Sequence, residues 1–164
     1  MKLHLKLGAI VAIAATSIGF SAHAADAEST WSLGDKDGTA FLYTASPSGP
    51  SLTLNCSDKI GVRAVVYLNG NSMDELEINT KVSLKTRKVE LASDSTKPRD
   101  GNWVYLRRAK TLISTKGWQG KRIFNAAVSG SPVSIDVSRA GSYEITLPAV
   151  NDDFKSFVDN CTAI

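Results

Sequence analysis

Histidine is almost missing from this chain of 164 residues: there are two, His4 and His23, both within the first 24 positions. Beyond them no imidazole is left for Ser-His-Asp or Cys-His hydrolysis, for His-ligated zinc or for histidine acid–base catalysis. Cysteine is as scarce, with Cys56 and Cys161 far apart, so the close Cys-x-x-Cys of a redox-active thiol pair is not present. Paired carboxylates are lacking too. Asp152-Asp153 and Asp74-Glu75 are neighbours in sequence, and such neighbours diverge on a strand or a helix. Gly117-Trp118-Gln119-Gly120 has neither the spacing nor the expected strand-to-helix setting of a phosphate loop. These absences predict no catalytic residue, no metal site and no cofactor.

Long apolar runs are also lacking. The longest, Leu7 to Phe20, falls short of the roughly 20 residues that span a bilayer. It follows Lys2 and Lys6 and precedes the small-residue box Ser21-Ala22-His23-Ala24, the three zones of an export signal. Cleavage is expected between Ala24 and Ala25, leaving residues 25–164 as a single β-rich secreted domain with no stable membrane anchor. No cysteine follows the apolar run, which argues against a lipid anchor. The short basic start and Ala-rich core have a bacterial look, so the expected location is periplasmic or secreted. Without Lys2 and Lys6 the 19 basic residues fall to 17 against 16 acidic, a near balance that gives no field to attract nucleic acid. In an oxidising compartment the two cysteines are expected to form one disulfide. It would close a loop of roughly 100 residues, with a stabilisation of about 4 to 5 kcal/mol in the chain-entropy model.

What is present is β patterning. From Thr39 on, stretches rich in β-branched and aromatic residues alternate with turn clusters, which predicts a mainly β fold. The expectation is an antiparallel β-sandwich or barrel with one or two short helices and one disulfide. Strands are predicted at Thr39 to Ala45, Ser51 to Cys56 and Val62 to Leu68, the last turning at Asn69-Gly70-Asn71 into a strand near Glu75 to Asn79. Two amphipathic strands are predicted around Val82 and Leu84 and around Val89 and Leu91, and others at Asn102 to Arg108, Val133 to Val137 and Tyr143 to Leu147. Phe154, Phe157, Val158 and Cys161 recur at helical spacing, predicting a helix over Asp152 to Cys161 capped by Asn151 or Asp152. A second short helix is predicted over Lys121 to Ser129, and Ala25 to Ser29 are expected to form a loose arm before Trp31.

The C-terminal third, a strand (VSIDV), a turn, a strand (YEITLP) and a helix of the form Phe-x-x-Phe-Val-x-x-Cys, resembles the closing segment of small exported bacterial envelope proteins. The invasion-associated locus B family and the periplasmic accessory proteins of type VI secretion are the two compared. The resemblance implies a non-enzymatic role in the envelope, in virulence or secretion. Ser114-Thr115-Lys116-Gly117 is similar to one fragment of a motif in periplasmic lysozyme inhibitors, but Thr111 stands where that family has Tyr.

The expected function is therefore a non-enzymatic protein-interaction module of the cell envelope, its partner a protein of the envelope or the host. The contact surface is expected between Trp103 and Trp118, where Trp103, Tyr105 and Trp118 bracket Arg107, Arg108, Lys110 and Lys116, because Trp, Tyr and Arg dominate binding hot spots. An inhibitor of a cell-wall hydrolase, acting through a protruding Lys116 loop, is the alternative. A carboxylate-based glycan-active enzyme is the second alternative.

Overall fold

The computed structural model describes residues 29–45, 49–57, 59–68, 84–138 and 140–161. The predicted export signal, the turn predicted at Asn69-Gly70-Asn71, the strand predicted at Glu75 to Asn79 and Val82 lie outside these residues. Nine antiparallel strands form one sheet: β1 (Ser32–Lys36), β2 (Thr39–Thr44), β3 (Ser51–Ser57), β4 (Gly61–Tyr67), β5 (Leu84–Ser93), β6 (Thr96–Leu106), β7 (Thr111–Ser114), β8 (Val133–Val137) and β9 (Gly141–Ile145). Two helices accompany it, α1 (Gly117–Ser129) and α2 (Asp152–Asn160).

The spatial order is β1-β2-β3-β4-β7-β6-β5-β8-β9. Strands β1 to β4 meander as successive hairpins. The chain then places β5, β6 and β7 in reverse, so that β7 pairs back onto β4 (Val66 opposite Leu112) while β5 meets β8 (Leu91 opposite Ile135). The place beside the C-terminal half of β4 is taken by β7. The segments around Leu84 and around Val89 and Leu91 form one ten-residue strand, β5, in place of the two expected.

Alternation selects the core face. In β4, Val62, Ala64 and Val66 are buried between exposed Arg63 and Tyr67. Because directly opposed residues share a face, the pairings Leu42–Leu54–Ala64 and Leu52–Val66–Leu112–Tyr105 carry one apolar face across the sheet. Both helices cover that face. The start of α1 lies on β4, where only glycine fits: a Cβ on Gly117 would strike the Ile60 carbonyl, and one on Gly120 the Val62 carbonyl. The helix ends at Gly130, whose φ of 66° is the left-handed cap that glycine adopts without strain.

Helix α2 packs against β1 and β2, and the Asn151 side chain accepts from the Phe154 N–H at 3.0 Å as its N-cap. Its Phe154 ring stacks on Phe124 of α1 at 5.0 Å and meets Trp31 edge-on at 5.4 Å. The buried residues of sheet and helices form one hydrophobic cluster, each large side chain contributing about 1.5–3 kcal/mol. Cys56, at the end of β3, is bonded to Cys161 just past α2, with Cα atoms 5.5 Å apart across 105 positions.

The fold is mainly β with two helices and one disulfide, as the sequence predicts, and its strands form one sheet that is not closed into a barrel. The outer strands β1 and β9 do not pair with each other. At the β1 edge the Leu33 N–H is occupied by the Asp153 carboxylate at 3.2 Å, so α2 takes the place that a closing strand would need. Among the described residues no helix is long and apolar enough to cross a membrane.

Candidate functional site: a cationic seam between α1 and β6

The expected contact surface divides into three parts. Trp103 and Tyr105 lie on the core face of β6 and are buried, at 0% and 2% exposure, so neither reaches a partner. They alternate with Asn102, Val104 and Leu106, and such alternation does not by itself say which face turns inward. Arg107 and Arg108 are exposed on the turn after β6, with Lys110, whose carbonyl accepts from the Leu68 N–H at 3.0 Å. Lys116 and Trp118 lie beyond the opposite end of β7, about 13 Å away for a four-residue strand. The two basic groups are therefore separate, and only Lys116 and Trp118 belong to the surface described next.

The junction from β7 into α1 is built around Gln119. Lys116 stands at the N-cap position but offers no capping oxygen. The buried Gln119 side chain replaces it: Oε1 accepts from the backbone N–H groups of Thr115 and Lys116 at 2.8 and 2.9 Å, and Nε2 donates to the Asn102 carbonyl at 3.0 Å. The Thr115 hydroxyl also donates to the Asn102 carbonyl. Ser114-Thr115-Lys116-Gly117 is thus a clamped strand-to-helix connection, which removes the protruding loop that an inhibitor reading required. It also supplies the strand-to-helix setting judged absent from the sequence, although the Gly spacing of a phosphate loop is still lacking.

Trp118 reaches from α1 onto β6, where Gly101 has no side chain to block it. There the Arg99 guanidinium lies over the indole at 4.1 Å from the ring centroid. Lys121 and Arg122 follow Trp118 by three and four residues and so project from the same side of the helix. Arg122 is only partly exposed, and its Nε and Nη2 atoms are buried without a hydrogen-bond acceptor. Burial, and then the nearby positive charge of Arg99, hold its pKa below the usual arginine value.

Among the described residues no carboxylate is ion-paired with Arg99, Lys116, Lys121 or Arg122. Among the described residues the ion pairs are Lys88 with Asp100 at 2.7 Å and Lys155 with Asp152 at 2.8 Å. Asp100 follows Arg99 in sequence, but strand alternation turns it to the opposite face, towards Lys88. The first turn of α1 contains no acidic residue, so the positive end of the helix dipole adds to the field. Arg99 stacks on the half-buried Trp118, and Lys116, Lys121 and Arg122 lie within four residues of it along the chain. Arg99 is the residue of this surface that sequence reasoning did not bring to it, since 19 positions separate Arg99 from Trp118 and only the packing of α1 on β6 joins them.

Among the described residues no three His, Cys, Asp or Glu side chains come together as metal ligands. No protein-family model, no curated protein and no solved structure matches the chain. The seam is positively charged, with the exposed Arg99 guanidinium stacked on an aromatic plane.

Proposed function

We propose that the protein is an exported, non-enzymatic interaction module of the bacterial cell envelope, and that it binds a protein partner through the seam between α1 and β6. The carrying observation is Arg122, whose buried Nε and Nη2 lack acceptors beside the Arg99–Trp118 stack. An arrangement that leaves guanidinium donors unbonded costs stability, and such costs concentrate at functional sites. The export signal and the disulfide agree with an oxidising destination. The resemblance of the C-terminal third to exported envelope proteins points the same way.

Charge reversal tests the reading. In cells treated with a chemical cross-linker, the Arg99→Glu/Lys121→Glu variant should lose the partner that wild type captures, while Arg107→Glu/Arg108→Glu should retain it. Capture of the same partner in equal yield by Arg99→Glu/Lys121→Glu overturns the placement of the surface.

A further inference from the structure

A second surface lies at the other end of α1. Val128 in the last turns of that helix, Val150 just before α2 and Val158 on α2 are exposed, at 59%, 40% and 37%. They line one open groove of about 560 Å³, whose remaining walls are Phe154, Lys155 and Asp159. The Phe154 ring is fixed from below by Phe124 and Trp31, so the concavity is built on the core. Single exposed valines are ordinary, but three that converge on one concavity form an apolar patch from which a partner would displace water. Val128 stands ten residues beyond Trp118, about 15 Å along the helix, so the groove is separate from the cationic seam.

The charged groups of the groove select its occupant. They are one cation and one anion, Lys155 and Asp159, about 6 Å apart along the axis of α2. An acidic or a basic partner would meet a like charge there. A second copy turned about a two-fold axis meets none: with the two α2 helices antiparallel, each Lys155 faces Asp159 of the partner subunit. Among the described residues Asp159 has no ion-pair partner within the chain. Lys155 contacts the exposed Asp152 at 2.8 Å, and its ammonium has further donors for a second carboxylate. We infer that the groove between α1 and α2 is the interface of a two-fold dimer of this chain, with the valines at its centre and two reciprocal Lys155–Asp159 pairs at its rim. The contact uses the end of one helix and one side of another, which places it among small, transient interfaces, with a dissociation constant on the order of 10–100 μM.

Sedimentation velocity of the purified, disulfide-bonded protein from about 5 to about 500 μM reads the association. Wild type should pass from monomer towards twice that mass and no further, because a two-fold contact closes on itself. Lys155→Glu leaves two facing pairs of carboxylates and Asp159→Lys two facing pairs of ammonium groups, so each should weaken dimerisation by at least about tenfold. Mixing the two variants in equal amounts should restore it, since both pairs in the mixed dimer have opposite charges. Val128→Asp should also weaken it, and Glu144→Lys on β9 should not. A melting curve for each variant confirms that it is folded.

A wild-type protein that stays monomeric over the whole range, assembles beyond a dimer, or dimerises equally well after either charge reversal overturns the inference. So does a mixture of the two variants that remains monomeric. A photoreactive residue at position 128 that captures a different protein in cells, and no second copy, assigns the groove to that protein and overturns the dimer. None of these results bears on the seam, whose partner is read with Arg99→Glu/Lys121→Glu.

Discussion

The indole Nε1 of Trp31 donates to the carbonyl oxygen of Pro148 at 3.0 Å, joining the residue before the first strand to a residue beyond the last. The Asn151 side chain reinforces the link by donating to the Trp31 carbonyl at 2.8 Å. The open sheet is thus held across its two ends by side chains in place of a strand ladder. Trp31→Phe keeps an aromatic ring but leaves the Pro148 carbonyl unpaired, and should cost about 1–2 kcal/mol in urea unfolding. An unchanged stability would mean that this hydrogen bond is not formed in solution.

Asn151 has two tasks, capping α2 and binding Trp31, so Asn151→Ala should exceed the usual loss of a cap, about 1 kcal/mol. Asn151→Asp keeps the acceptor for the Phe154 N–H but loses the donor to Trp31. It should fall between Ala and wild type in the same denaturation series.

The Cys56–Cys161 bond anchors the chain beyond α2 to the end of β3. Replacing both cysteines by Ala should lower stability by up to about 4–5 kcal/mol, because the unfolded chain recovers the entropy of a loop of roughly 100 residues. A larger urea dependence of the unfolding free energy should accompany the loss, as the unfolded state expands. A loss without change in that slope would locate the effect in the native state.

Gly120 lets α1 lie against the Val62 carbonyl. Gly120→Ala should destabilise by about 1–3 kcal/mol through overpacking, although alanine is the better helix former. At the exposed cap, Gly130→Ala meets open space and only the strain of a positive φ, about 1 kcal/mol. The order of the two costs, measured by thermal unfolding, tests the close approach of α1 to β4.

Arg122 should show a conflict between stability and binding. Arg122→Met removes a partly desolvated cation repelled by Arg99 and keeps an unbranched side chain in the seam, so stability in urea unfolding should not fall and should rise if the repulsion dominates. Destabilisation would show that Arg122 has an acceptor in solution.

Much of the sheet was legible because its strands alternate. Val133 to Val137 reads as a strand from pattern alone and is β8. The C-terminal helix also follows its periodicity, and α1 begins one turn before the segment Lys121 to Ser129. Two strands were hidden. The β1 sequence SLGDK carries Gly, Asp and Lys, and its extended form depends on pairing with β2, where the Phe41 ring lies against Gly34. The four residues of β7 are too few to show a period, and their place is set by β4 and β6 on either side. The site was less legible than the fold. Basic residues near Trp118 were visible in the chain, but the burial of Trp103 and Tyr105 and the approach of Arg99 arise from which face the helices cover.

The most direct test of the account is site-specific photo-cross-linking in intact cells, with a photoreactive residue at position 121 on the seam or at position 144 on exposed β9. The expected result is one envelope or host protein, with an acidic segment at the cross-link, captured from position 121 and not from position 144. Equal capture from both positions, or no adduct from position 121 in a correctly exported and disulfide-bonded protein, would contradict the account.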